Sequence, residues 1–406
     1  MAHTPSKPST TSTTITIVAS ALLALGVVMV FSASASLTTP PITENVLKNS
    51  AIRQAMFTFG ALLALLISGV CPFEFWRIRK GSLFQPAIYL LLITLALLAV
   101  VLVVGEERNG ARRWLPLGPA SLCLGFQPSE VAKLADVIFF AAYAAYLGKR
   151  VRKFWFGLLP ALALLGMMGG LVGKEDLGTA ALLALVGGCI LLAAGARVWH
   201  LILLSLPGVA GFIYLIKMEP YRVQRLTSFM DPYADPLGRG YHQIQSLITI
   251  ASGGWWGQGL GCCIQKYGYL PEGRNDFIFS VICEELGIVG GIAVIALFAI
   301  LLWHGRKAVV AATTDFGRLL ALGATLTIGF QAAMNIAVVT VSVPTKGIAL
   351  PLVSAGGSGV ILLSILVGLL VNVARYRPAA ADSTVRATVR PARLPIPAAR
   401  AMTATG

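Results

Sequence analysis

Residues 252–287 read SGGWWGQGLGCCIQKYGYLPEGRNDFIFSVICEELG. A Gly/Trp-rich stretch gives way to a polar loop, and the loop runs into an apolar helix carrying Asp276, Glu284 and Glu285. An Asp at the centre of a membrane helix costs roughly 2.5–3.5 kcal/mol. Three carboxylates at the mouth of an apolar segment therefore mark either a working site or a structural one in which Asp276 caps the helix and the glutamates bond to neighbouring helices. The stretch alone leaves both open. It does decide the kind of fold: a water-facing loop entering a lipid-facing helix.

The surrounding chain agrees. Its 406 residues are 56% hydrophobic and 12% charged, with a mean hydropathy of +0.79. That is too apolar for a soluble globular protein. Long unbroken apolar runs, instead of short alternating strands, exclude a membrane barrel. Runs lie at 15–37, 52–70, 83–104, 130–147, 154–172, 177–195, 198–216, 277–302, 319–341 and 359–374, each near the roughly 20 residues that cross a bilayer. The expected fold is an all-α polytopic membrane protein of about ten transmembrane helices. Ala33-Ser34-Ala35 resembles a signal-peptide cleavage site, but the run is long and weakly flanked by basic residues, so the first span is expected to be retained.

Basic residues test the topology. Arg77, Arg79 and Lys80 follow the second run; Lys149, Arg150, Arg152 and Lys153 the fourth; Arg197 the sixth; Arg306 and Lys307 the eighth; Arg375 and Arg377 the tenth. All fall on the side of both termini, which the positive-inside rule makes the cytoplasmic side of the inner membrane. Much of the net charge of +15 sits in these loops and in the C-terminal tail, where it serves topology and anionic lipid headgroups and not nucleic acid. Residues 1–14 and 375–406 read as disordered cytoplasmic tails around a membrane domain at 15–374. Two outward loops are substantial, 105–127 and 217–275; the second, between spans seven and eight, is expected to fold back on the membrane as short helices and turns. The six cysteines form no C-x-x-C pair and are expected to pack as small apolar residues.

Four outward segments carry polar density. In the first, Arg112, Arg113 and Trp114 precede Glu130 and Lys133, which share a helix face with Asp136. Guanidinium forks suit phosphate and a tryptophan suits the headgroup level; lipid contact and a self-neutralising Glu130–Lys133 pair explain the same residues. In the second, Asp176 is placed to cap the sixth span. The third, from Asp231 to Ser246, contains two Asp-Pro turns. The fourth sets Lys346 beside Gly347, with Ser354 and Ser358 following among glycines and prolines. Proline and glycine at this density forbid regular helix, and such backbone survives at membrane depth only when protein or a watery cavity covers it. A lysine beside bared backbone N–H groups is a candidate anion cradle.

Taken together and in order, GARRW, QPSEVAKLA, DLGTA, DPYADPLGRGYHQIQS, SGGWWGQGLG, QKYGYLPE, DFIFSVICEELG and PTKGIALPLVSAGGSG resemble the SEDS family of shape, elongation, division and sporulation proteins. The QKYGYLPE and PTKG wording is closer to the division branch than to the elongation branch. The resemblance implies a peptidoglycan glycosyltransferase that polymerises lipid II at the outer face of the cytoplasmic membrane, with a class B penicillin-binding protein as transpeptidase partner and with divisome regulators. By position it places the essential carboxylate on Asp276, the motif tryptophan on Trp114, the glutamate and lysine of QPSEVAK on Glu130 and Lys133, and the PTKG lysine on Lys346. Such a reaction inverts the anomeric centre, so it needs one base and charge stabilisation on the leaving pyrophosphate. Asp276 is the expected base, and Arg112, Arg113, Lys133 and Lys346 the expected pyrophosphate contacts, with a divalent cation (Mg or Mn) as a further candidate. Intramembrane charges beside a broken segment would equally suit a lipid II flippase.

Overall fold

The computed structural model describes residues 9–34, 50–108, 111–116, 125–218, 220–263, 270 and 272–376. Of the tail expected at 375–406 only Arg375, the last residue of α12, and Tyr376 are among them; residues 377–406, residues 1–8 and most of QKYGYLPE lie outside. Helices occupy all ten apolar runs: α1 (Thr10–Ser34), α2 (Ser50–Val70), α3 (Pro86–Val104), α4 (Pro128–Leu147), α5 (Leu159–Gly173), α6 (Leu177–Ala193), α7 (Val198–Met218), then α10 (Ile278–Ala311), α11 (Asp315–Val339) and α12 (Ser358–Arg375). Among the described residues nine of these are long and apolar enough to cross a bilayer. The other, α6, has 17 residues, about 26 Å at 1.5 Å per residue. Helix α1 begins at Thr10, inside the stretch expected to be a tail.

Sequence chemistry explains the helix ends. Proline stands in the first turn of α3, α4 and α5, where its missing N–H is no loss. Asp176 caps α6 by accepting from the N–H groups of Gly178 and Thr179, and Thr314 caps α11 through Gly317, as their residue types favour. Helix α4 is the most enclosed span and packs against α3, α6, α11 and α12. The α2–α12 seam depends on small residues: a Cβ at Gly368 would collide with Ser68 Oγ, and Asn372 Nδ2 donates to Gly69 O at 3.0 Å across it. Among the described residues helix α7 has no buried side chain in its apolar stretch, and it packs against α5, α6 and α8.

The long loop between α7 and α10 contains the short helices α8 (Pro220–Met230) and α9 (Tyr241–Ser252), with a 3₁₀ turn between them. The shorter one departs from the all-helical expectation by forming a small antiparallel sheet, β1 (Glu106–Arg108), β2 (Ala111–Pro116) and β3 (Gly125–Phe126), in the order β1-β2-β3.

Helix α10 is broken at Gly287, whose φ of 72° and ψ of −177° are open essentially to glycine alone. The Gly/Trp-rich loop fills the break. Gln258 and Gly259 N–H donate to the carbonyls of Glu284 and Glu285 at 2.9 and 3.0 Å, while Ile288 and Val289 N–H donate to Gly254 and Trp255 at 2.9 and 3.3 Å. Loop backbone thus replaces the missing helical bonds. Glu284 and Glu285 are fully buried here: Glu285 Oε1 accepts from Ser32 Oγ at 2.6 Å, and Glu284 Oε2 from the Cys263 thiol at 2.7 Å. Glu285 thus bonds to a neighbouring helix, the structural option the sequence left open, and Glu284 to the loop that fills the break.

Candidate active site

The polar residues converge where three segments meet: the 272–277 turn ahead of α10, the non-helical 340–357 segment between α11 and α12, and the start of α6 under β2. Asp276 does not cap α10; the capping position is Phe277, and no side chain caps that end. Asp276 sits instead in a turn closed by the N–H groups of Asn275 and Phe277 onto Glu272 O, at 3.0 and 3.4 Å. Its backbone is pinned from α11, where Asn335 Nδ2 donates both to Asp276 O (2.7 Å) and to Ile348 O (2.6 Å). One buried amide therefore fixes the acid's turn and the PTKG segment against each other.

The 340–357 segment meets the requirement that non-helical backbone be satisfied internally. Gln331 Nε2 donates to Ala349 O at 2.9 Å, four residues before Asn335 on the same face of α11. Ser354 Oγ accepts from Leu350 N at 2.7 Å and donates to Asn275 O at 2.6 Å, and Ala355 N donates to Arg274 O at 3.1 Å. Ser354 is thus engaged with backbone on both sides and positions the loop. Glycines permit the close approach: a Cβ on Gly347 would lie 2.9 Å from Asp276 Oδ2, and one on Gly178 would lie 3.3 Å from both Lys346 Cδ and Asp176 Oδ1.

Around Asp276 the charges alternate. Arg113 Nη2 donates to Glu175 O, and its Nη1 lies 3.9 Å from Asp176 Oδ2. Arg225, on α8, donates to Thr345 O at 3.3 Å beside Lys346. Burial pushes the Asp276 carboxyl up to about 7; the charges of Glu272 and Asp176 add to the rise, and Arg113 and Arg225 oppose it. Burial lowers Lys346, with Arg225 acting the same way and Asp176 against it. His242, stacked on Phe277 with centroids 6.1 Å apart, is lowered by burial and by Arg225, while Glu272 acts the other way. An acid poised near neutrality among cations can take a proton from a hydroxyl while its neighbours hold a developing anion.

The remaining candidates are distributed around this cluster. Arg112 is exposed on β2, with its N–H on Glu175 Oε2 at 2.8 Å and its guanidinium 3.9 Å from Glu107. Trp114 pairs with Glu106 in the β1–β2 register. Partly buried Glu130 and buried Lys133 form an ion pair at 2.7 Å, and Lys133 Nζ also donates to Gln331 Oε1 at 2.9 Å. They join the site through α11 and do not stand in the Asp276 cluster itself. Ser358 Oγ accepts from Gln127 N at 3.5 Å, at the junction of α4 and α12. Arg225 and Asn335 went unread in the sequence: Asn335 looks like any polar residue in a span, whereas an arginine in an outward loop, where topology does not call for it, was the available signal.

Fold and site together define a polytopic α-helical membrane protein with one near-neutral acid set among cations at one end of the bundle. Residues 12–379 match the profile of the FtsW, RodA and SpoVE family, described as cell cycle protein. The chain belongs to that family. It is 41% identical over 361 residues to "Probable peptidoglycan glycosyltransferase FtsW" of Aliivibrio salmonicida, covering 88% of this chain and 87% of the relative. It is 38% identical over 360 residues to "Stage V sporulation protein E" of Bacillus subtilis, covering 87% and 94%. Among solved structures it resembles the rod shape determining protein RodA of Thermus thermophilus, with a TM-score of 0.61, 28% identity and coverage of 90% and 97%. It also resembles a chain from "Structural coordination of polymerization and crosslinking by a peptidoglycan synthase complex", with a TM-score of 0.68, 30% identity and coverage of 90% and 98%.

Proposed function

We propose that this chain is a peptidoglycan glycosyltransferase that polymerises lipid II at the outer face of the cytoplasmic membrane, with Asp276 as general base. The observation that carries the residue assignment is the placement of Asp276: a carboxyl raised to about 7, its turn clamped to the segment bearing Lys346. In the reaction the 4-hydroxyl of the incoming sugar attacks the anomeric carbon of the growing strand. Its proton passes to Asp276 Oδ, the new C–O bond forms with inversion, and the old C–O bond breaks with its electron pair going to the polyprenyl pyrophosphate. Lys346, Arg113 and Arg225 hold that departing charge.

Among the described residues no three His, Cys, Asp or Glu side chains gather closely enough for an all-protein metal cage. No step is therefore assigned to a divalent ion, and a chelator arm in the assay asks whether the reaction uses one. The partner is a class B penicillin-binding protein acting as transpeptidase, at the septum in this reading. The relatives' names support the glycosyltransferase activity, and the synthase-complex neighbour, whose polymerisation is coordinated with crosslinking, supports such a partner. Both termini lie in the cytoplasm in this reading.

The test is polymerisation of labelled lipid II by purified protein with its partner in detergent, where no sidedness exists and a flippase makes no glycan. Asp276→Asn is expected to lower the rate by about 10²–10⁴-fold. A near-normal rate in that variant, with intact folding, removes the base assignment.

A further inference from the structure

At the end of the bundle remote from Asp276, the 3₁₀ turn Phe73–Trp76 and the residues after it face the C-terminal end of α4 across a cleft of about 450 Å³. Sixteen residues of α4 separate Glu130 from Tyr146, about 24 Å along the helix. The cleft is lined by Glu74, Arg77, Arg79, Lys80, Ala145 and Tyr146. Three cations thus face one carboxylate, and Glu74 is already 3.4 Å from Arg77. Arg79 and Lys80 are exposed and make no ion pair among the described residues. A ladder of exposed rings leads away from the cleft: Phe75 to Phe84 and Phe84 to Tyr89, each with centroids 6.0 Å apart, with 49%, 62% and 45% of their surfaces open.

We propose that this cleft binds the phosphate of an anionic phospholipid, with the lipid's glycerol and upper acyl region lying over Phe75, Phe84 and Tyr89. A topology signal needs only net positive charge in the loop. It requires neither a concave seat nor a continuous aromatic track into the lipid. Guanidinium forks match a phosphodiester's oxygens, and aromatic rings suit the depth just below the headgroup. The amphipathic layout favours a lipid over free phosphate, which would use the cations and leave the rings idle. This site is independent of the sugar chemistry at the other end.

The experiment is native mass spectrometry of the full chain released from bilayers of equimolar phosphatidylglycerol and phosphatidylcholine. The wild type is expected to retain phosphatidylglycerol preferentially. Arg79→Gln with Lys80→Gln removes two charge-assisted contacts to the lipid phosphate and should cut retention roughly 25-fold. Arg306→Gln with Lys307→Gln removes two cations from the same end of the bundle but outside the cleft, and should leave retention unchanged. Equal loss in both double variants would show bulk surface charge at work and overturn the site. Displacement of the lipid by millimolar inorganic phosphate would reassign the cleft to a free anion and overturn the lipid reading, as would unaltered retention in the Arg79/Lys80 variant.

Discussion

Asp276 answers a question about opposing effects. A helix N-terminus stabilises a carboxylate and lowers its basicity, whereas burial raises it. The acid sits one residue before the cap of α10, and burial with two neighbouring carboxylates prevails, giving a value of about 7. A base works deprotonated, so the rate of lipid II polymerisation should climb as pH rises through about 7 and fall away on the acid side. Glu272→Gln removes a charge that holds the value up and should move this acid limb to lower pH. Arg225→Gln removes a charge that holds it down and should move the limb to higher pH. An acid limb that neither variant displaces would belong to some other group. The acid itself was legible because a carboxylate beside an apolar run demands a reason. Of the groups that tune it, Arg113 and Asp176 already stand out in the sequence, and Glu272 lies four residues away in the same turn. Arg225 was not legible, because it reaches this site only once α8 folds against the segment bearing Thr345 and Lys346.

At the scale of the element, the α10 break and the α11 clamp do the positioning. Adding a Cβ at Gly287 forces a glycine-only conformation and collides with the Trp255 carbonyl. Gly287→Ala should therefore destabilise the protein by at least about 1–3 kcal/mol from backbone strain, read as a lowered Tm in detergent, with an unchanged Tm refuting the clasp. The break was invisible in the sequence, where ELGIVGG continues an apolar run without proline or charge after Glu285. The spans were legible for the opposite reason: hydropathy over some 20 residues is a bulk property that no single contact can override. The β1–β3 sheet escaped notice because its strands are short and lack a clear alternation of apolar and polar residues.

Across the whole molecule, the alternation of loop charge predicts which surfaces face which compartment. In a background with the six native cysteines replaced, Ser342→Cys should react with a membrane-impermeant maleimide added outside intact cells, and Ser82→Cys only after lysis. Both positions are exposed; the reverse pattern would invert the bundle and remove the proposed sugar chemistry from the outer leaflet. Because the backbone of the 254–259 loop supplies, at the α10 break, the bonds that a continuous helix would make for itself, the short segment leading back to Asp276 takes its tilt from that loop instead of from the long span beyond it. A protein docking on that loop would thus hold a tiller: it could re-aim the acid while the membrane-embedded shaft stayed still.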